Sequence, residues 1–167
     1  MQMSRRQLMV TAASAAALPS ASRSDAPLRL AWEDLLPPGV PYSRIVAQGL
    51  RNRDKDIWRP VFDANAMRLN PALDDVLVAL PGFMLPIDLT SAGVTSFVLV
   101  PYAGACIHTP PPPANQLVFV TAQTPWRSDD MWDPVLVTGQ MRHDVQSTDV
   151  AKVGYALDAD TVEIYEW

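Results

Sequence analysis

The sequence predicts a mainly β protein, folded as a small single-domain β-barrel or a strongly curved, OB-like sheet with one or two short helices. Short apolar runs with strand-like composition follow one another from Val76 onward, separated by turn residues. Sixteen prolines remove backbone donors and disfavour long helices. A chain of 167 residues, 49% of them hydrophobic, is long enough to bury the core of one compact domain.

The first 22 residues predict a signal peptide, which leaves residues 23–167 as a single β-rich globular domain. Arg5 and Arg6 precede a weakly apolar run of eleven residues and then a few small residues, the order typical of export signals. The adjacent arginines resemble a bacterial twin-arginine signal; an ordinary secretory signal and a short N-terminal helix are the alternatives. The run is too short to span a bilayer, for which about 20 residues are needed. We therefore expect a periplasmic protein without membrane insertion after signal removal.

The charge of the chain narrows the classes of partner. The formal net charge is −5, which disfavours nucleic acid and anionic membranes as partners. The single cysteine, Cys106, rules out an intramolecular disulfide, so packing or a bound ligand must stabilise the domain. The oligomeric state cannot be derived from these features.

We expect little regular structure in the first half of the predicted domain. Trp32 and the Leu35–Leu36 pair are expected to anchor an extended lead-in on the core. Pro41 to Gly49 predicts a short helix, because Tyr42, Ile45 and Val46 would share one face and Gly49 could cap its end. The charged residues 51–56 predict a solvated loop. Trp58 and Phe62 are expected to return the chain to the core.

Most of the predicted strands lie in the second half of this domain. Residues 76–80 and 83–89 predict one strand with a bulge or bend at Pro81–Gly82. Residues 95–102 and 117–122 are apolar on both faces of the pleat and predict interior strands. Residues 134–141 predict a further strand. Residues 152–157 and 161–167 predict a terminal hairpin that turns at Asp158-Ala159-Asp160.

Chemistry is expected in residues 98–120, where Cys106 lies two residues before His108. Side chains two apart in extended backbone project to the same side, roughly 6 to 7 Å apart, so both can reach one metal ion. A thiolate and an imidazole favour zinc or copper over hard cations. The only other histidine, His143, is the third candidate ligand, and oxygen donors such as Asp88 could complete the shell.

Three other interpretations of the pair stay open. Cys106 can be a small buried hydrophobe beside a histidine bound to backbone. The pair can be a thiol nucleophile and its base, with Asn115 or Gln116 orienting the imidazole, although residues two apart on a stiff segment rarely bring sulfur and nitrogen within about 3 Å. A blue-copper centre is disfavoured because no methionine follows Cys106 before Met131. The four prolines at 110–113 are expected to hold the loop rigid.

The motif PYAGACIHTPPPPANQ, residues 101–116, resembles the signature of a bacterial exported family classed as domain of unknown function number 3299. Three further stretches support the resemblance: LPGFMLP at 80–86, GQM at 139–141 and GYAL at 154–157. The resemblance implies a small periplasmic protein or lipoprotein, in some cases encoded beside ABC-transporter components under zinc-responsive control. It implies no established enzymatic activity. This chain lacks a lipid-attachment cysteine near its signal.

Together, these observations predict a periplasmic accessory protein that binds zinc through Cys106, His108 and His143 and works with an ABC-type transport system. A non-catalytic protein-interaction module with a buried Cys106 is the alternative from another class. A thiol-dependent enzyme using Cys106 and His108 is the third hypothesis. With few soft ligands in the chain, an open and exchangeable metal site is favoured over a closed structural one.

Overall fold

The computed structural model describes residues 26–52, 57–105, 111–127, 132–148 and 151–166. The predicted signal peptide lies outside the described residues, as do Cys106 and His108. The strands are β1 (Leu28–Arg29), β2 (Ile45–Asn52), β3 (Ile57–Phe62), β4 (Val76–Thr90), β5 (Gly93–Val100), β6 (Val118–Trp126), β7 (Pro134–Ser147) and β8 (Lys152–Ile164). Short 3-10 helices span Trp32–Leu35, Ala64–Met67, Pro71–Leu73 and Ala114–Gln116.

Five strands close into a barrel in the order β4-β5-β6-β8-β7, with β7 returning to β4. Pairing is antiparallel throughout the barrel except between β6 and β8, which run parallel. One parallel pair in a closed five-stranded barrel is the arrangement of an OB-like fold, so the predicted fold class is confirmed. The short β1 adds to the outside of β4 in parallel.

The barrel interior is the main hydrophobic core. Phe97 and Leu99 on β5, Val118 and Val120 on β6, and Tyr155 on β8 are all fully buried there. They lie at alternate positions along their strands, which places one face of each strand inside. Because the opposite face of β5 is also buried, through Val98 and Val100, the prediction of an interior strand is confirmed.

The long strand β4 changes partners along its length. The first half of β4, Val76–Phe83, pairs with β7, and its second half pairs with β5. Pro81 and Gly82 stay within this continuous pairing, and the register shift predicted there lies instead between Pro86 and Leu89.

The prediction of a terminal hairpin turning at Asp158-Ala159-Asp160 is wrong. β8 runs unbroken from Lys152 to Ile164 and pairs with β7 over nearly its whole length. Ala159 is buried in the core, while Asp158 binds Arg142 and Asp160 accepts a hydrogen bond from Gln123. The two carboxylates therefore point outward from a strand, and do not mark a turn.

Outside the barrel, β2 and β3 form a two-stranded antiparallel sheet of their own, which we call the arm (residues 44–62). The helix predicted from Pro41 to Gly49 is wrong, since most of it forms β2. The pairing of Ile45 with Phe62 and the positive φ of Gly49 (59°) favour a bulged strand. The arm also holds Trp58, whose indole N–H donates to the Gln48 carbonyl at 2.6 Å, so Trp58 does not enter the barrel core.

Trp32 and Leu35 pack on the core, as the sequence predicts. Leu35 is fully buried, and the Trp32 indole packs against the core and donates to the Pro81 carbonyl at 2.8 Å.

Gly154 lets the 3-10 helix at Ala114–Gln116 approach β8 closely, because a Cβ there would lie 2.7 Å from the Ala114 carbonyl oxygen. Within the described part of the chain, no helix is long and apolar enough to cross a membrane.

Candidate functional site

The residues on both sides of Cys106 and His108 are tightly packed. Ala105 is fully buried, and Pro111, Pro112 and Pro113 are buried where the chain becomes described again. Ala105 belongs to a second hydrophobic cluster on the outer side of β5, which we call the outer cluster. Its buried members are Val98, Val100, Ala105, Leu117 and Val153, and its partly buried members include Phe83, Phe119 and Trp132. The segment that carries the predicted pair is therefore anchored to the barrel wall at both ends.

Asn115 and Gln116, which end the motif, are buried, and their side-chain amides donate hydrogen bonds to backbone carbonyls. The Asn115 amide donates to the carbonyls of Asn65 (2.9 Å) and Arg68 (3.0 Å). The Gln116 amide donates to the Trp32 carbonyl at 3.0 Å. Their N–H groups thus connect the motif to two of the 3-10 helices. Among the described residues, none donates to Asn115 Oδ1.

His143 is the one predicted ligand whose position the structure describes. It lies on β7 opposite Tyr155, and its ring meets the tyrosine ring edge-on with 5.5 Å between centroids. Its Nε2 lies 2.8 Å from the Asn70 carbonyl oxygen. Since a carbonyl can only accept, Nε2 is the donor in this contact, and in the neutral imidazole Nδ1 then carries the lone pair. Its backbone N–H donates to Asp74 at 2.9 Å, which fixes the strand beside the ring.

His143 and Ala105 pack in different parts of the barrel. The His143 ring contacts Tyr155, which belongs to the core inside the barrel. Ala105 belongs to the outer cluster together with Val153. Both clusters include residues of β8, two positions apart.

The oxygen donor considered for the metal shell, Asp88, has a different role. It lies on β4 opposite Ser96, and its carboxylate accepts the Ser96 hydroxyl at 2.5 Å. In the described ranges, no three His, Cys, Asp or Glu side chains come together in a group that could hold a metal ion.

A cleft of about 420 Å³ opens beside the motif, and sequence reasoning did not identify it. Its walls come from β3, the 3-10 helix at Ala64–Met67, the prolines and the turn between β7 and β8. Apolar side chains line most of it, with cations and hydroxyls among them: Arg59, Pro60, Val61, Phe62, Asp63, Ala66, Met67, Pro111, Pro112, Ala114, Ser147, Thr148, Ala151 and Lys152. Its volume and apolar lining are typical of small-ligand sites. Phe62 therefore faces this cleft, and not the barrel core as the sequence predicts.

The base of the arm is fixed beside this cleft by Asp63. The carboxylate accepts from the Ser43 hydroxyl (2.9 Å), the Arg44 N–H (3.2 Å) and the Asn65 N–H (3.0 Å). Desolvation alone would raise the pKa of Asp63, but these hydrogen bonds and the Arg44 charge lower it below its ordinary value. Asp63 therefore stays ionised and holds the two ends of the arm together.

Tyr42 connects the arm to the motif. Burial of its ring and the neighbouring Tyr102 phenol raise the pKa of Tyr42 to about 12. Tyr102 belongs to the turn at the start of the motif, where Gly104 has a φ of 77°. The arm, the cleft and the motif thus lie on one side of the molecule.

The chain is similar to one described family and to a solved structure. A model of the family described as protein of unknown function (DUF3299) matches residues 32–164. The crystal structure of a DUF3299 family protein from Pseudomonas aeruginosa PAO1 is 33% identical to this chain, with a TM-score of 0.68. That similarity covers 86% of this chain and 99% of the other. A search of the curated proteins found no match.

Proposed function

This chain belongs to the DUF3299 family, and we propose that it is a binding protein that takes up zinc through Cys106, His108 and His143. The state of His143 is the observation that carries the proposal. Its Nε2 proton is donated to the Asn70 carbonyl, which leaves the Nδ1 lone pair for a metal. Histidine ligands of metals usually donate their other ring N–H to a carbonyl or carboxylate in this way, which fixes the ring and its tautomer.

Zinc suits the chemistry of this ligand set. A cysteine thiolate and two imidazoles provide one sulfur and two nitrogen donors, which zinc accepts in tetrahedral geometry. Three protein ligands leave a fourth position for solvent or for a group of a partner. Such a site releases its ion more readily than a closed site with four protein ligands, which suits a protein that passes zinc on.

Export and a transport partner form the second part of the proposal. The twin-arginine-like residues at the start of the chain favour a periplasmic protein. The motif resemblance favours an accessory role beside an ABC-type transport system. Fractionation of bacterial cells that express the full chain tests the location, since recovery in the cytoplasm alone would contradict export.

Titration of the purified chain with zinc tests the metal site. Cys106→Ser removes the thiolate, and we expect it to weaken zinc binding at least tenfold, as loss of a ligand should. His143→Gln is the sharper variant, because its amide N–H can still donate to the Asn70 carbonyl while the Nδ1 donor is lost. We expect His143→Gln to weaken zinc binding without a large change in unfolding temperature. Unchanged zinc affinity in both variants would refute the site.

A protein-interaction module with a buried Cys106 is the second candidate. The burial of Ala105 and Ala114 on either side of the predicted pair favours it. Alkylation of the single thiol by iodoacetamide near neutral pH separates the hypotheses. Protection that requires zinc supports the metal site, and protection without zinc supports burial. Fast modification that zinc does not slow supports a reactive thiol and hence an enzyme.

A further inference from the structure

The arm has one strand beside the cleft, β3, and one strand that is fully exposed, β2. Its two strands pair with each other and with no described strand of the barrel. All eight residues of β2 are exposed to solvent. Isolated two-stranded hairpins are marginally stable in water, and exposed strand edges are ready to pair or pack with another chain. The arm therefore has the properties of an element that is covered in an assembly.

The arm presents large apolar side chains that the barrel leaves uncovered. Leu50 is 77% exposed, Val46 63% and Val61 47%. Tyr42 at the base of the arm adds to the same region with 50% exposure. Apolar residues grouped on a protruding element indicate a contact surface, whereas single exposed ones are normal.

The charge of the arm is opposite to that of the remaining chain. Of the arm's described residues, Arg44, Arg51 and Arg59 are basic and none is acidic. Arg51 is held over the Trp58 ring, 5.6 Å from its centroid, so a cation lies beside the exposed apolar residues. The rest of the chain is accordingly more acidic than its net charge of −5 indicates.

The outer face of β7 and β8 presents the matching negative charge. Asp75 accepts from Gln140, and Gln140 lies opposite Asp158 across the two strands. Asp160 lies further along β8 and is exposed. The basic residue among them, Arg142, is already bound to Asp158 at 2.6 Å. This face therefore offers carboxylates to a basic partner.

We propose that the arm docks on the acidic face of β7 and β8 in a second copy of this chain, and that the two copies exchange their arms. A reciprocal exchange closes with two-fold symmetry, so the assembly is a dimer and does not extend into a fibre. Exposed apolar residues provide the contact, and the opposite charges of arm and barrel select the partner.

Sedimentation velocity of the full chain tests the proposal. We expect a dimer in about 20 mM NaCl that dissociates toward monomer in about 500 mM NaCl, because screening weakens the attraction between exposed charges. Leu50→Glu should weaken dimerisation at least tenfold, since it places a charge at an apolar contact. Leu89→Glu is the matched control, because Leu89 is 73% exposed but lies on β4 outside the arm. It should leave dimerisation unchanged.

A pair of charge reversals tests the geometry. Arg51→Glu on the arm and Asp160→Lys on the acidic face should each weaken dimerisation alone. An equimolar mixture of the two variants should associate again, because each arm then meets a face of opposite charge. Recovery in the mixture supports arm exchange, and its absence contradicts it.

Two results overturn the proposal. The first is a monomer in about 20 mM NaCl at every concentration up to about 100 µM, a range that covers weak specific dimers. The second is a monomer that floats with phosphatidylglycerol vesicles in a Leu50-dependent manner, which would assign the arm to a membrane surface. Equal effects of Leu50→Glu and Leu89→Glu on dimerisation would also contradict it.

Discussion

Tyr155 shows most clearly how a single side chain links the parts of this molecule. Its ring is fully buried in the barrel, and its hydroxyl lies between two 3-10 segments. The hydroxyl donates to the Leu35 carbonyl at 2.6 Å and accepts from the Asn70 N–H at 2.7 Å. The Asn70 carbonyl in turn accepts from His143. The residue that orients the proposed ligand is therefore held by the core.

Tyr155 leads to a prediction about alkaline pH. Burial raises the pKa of Tyr155 to about 12, and the hydrogen bond from Asn70 offsets part of that rise. A pKa raised in the folded state contributes stability that is complete below the unfolded value of 10 and is lost as the pH rises from 10 to 12. We expect the free energy of unfolding to fall in this window, with less decline in Tyr155→Phe.

Urea unfolding between pH 8 and pH 12 measures this difference. At neutral pH, Tyr155→Phe should already be less stable by about 2 kcal/mol, because two buried backbone groups lose their partner. Tyr165→Phe is the control, since the Tyr165 hydroxyl accepts from Arg29 on the surface. If the free energy of unfolding falls equally with pH in the protein and in Tyr155→Phe, Tyr155 does not cause the loss of stability at alkaline pH.

At the scale of the elements, the sequence predicts the apolar strands well and the arm poorly. Runs such as β5 and β6 are apolar on both faces, and such runs form strands wherever the fold places them. The spacing of the apolar residues from Pro41 to Gly49 also fits a helix with one apolar face. Only the pairing with β3 decides between helix and strand here. That pairing is not local, so local periodicity cannot reveal it.

Gly49 leads to a prediction for the arm. A Cβ at Gly49 would lie 2.0 Å from the Arg59 carbonyl oxygen, and its φ is 59°. Gly39 has a similarly positive φ of 77° but no atom within 4 Å of the added Cβ. We expect Gly49→Ala to open the arm and Gly39→Ala to cost only about 1 kcal/mol of backbone strain.

Limited proteolysis distinguishes these two variants. Gly49→Ala should be cut within residues 44–62 at least tenfold faster than Gly39→Ala, while the barrel stays intact in both. Because the arm pairs with no described barrel strand, the main unfolding transition should move little. Equal cleavage of the two variants would mean that the contact with Arg59 does not hold the arm.

At the scale of the whole molecule, the outer cluster covers part of one face of the barrel. OB-like barrels commonly bind oligonucleotides on the face of their second and third strands. Here those strands are β5 and β6, and Ala105 and Leu117 pack in the outer cluster with Val98 and Val100 of β5. We infer that this packing reduces the surface open to stacked bases.

We accordingly expect no specific binding of single-stranded nucleic acid. Fluorescence anisotropy with a labelled oligothymidylate of about 20 nucleotides should give a dissociation constant weaker than about 100 µM at physiological salt. The net charge of −5 also disfavours the binding of nucleic acid. A dissociation constant below about 1 µM would show that another surface of the barrel binds nucleic acid.

The sequence predicts the family and the barrel of this molecule, and less of its site. The motif at residues 101–116 identified the family correctly, and the strand composition identified the fold. The roles of Asn115 and Gln116 depend on segments some 50 and 84 residues away, which no local pattern shows. The cleft was missed for the same reason, because three separate segments of the chain form its walls.

The position of β8 determines when this protein can fold. β8 lies between β6 and β7, so the barrel has an open seam until residues 152–164 are available. A chain emerging from the ribosome must hold β4 to β7 incompletely paired until residues 152–164 appear. Folding dominated by such distant pairings is slow, on the order of milliseconds to seconds. An export route that waits for a finished fold suits this order of assembly, whereas threading of an unfolded chain would postpone the closing step until after transport.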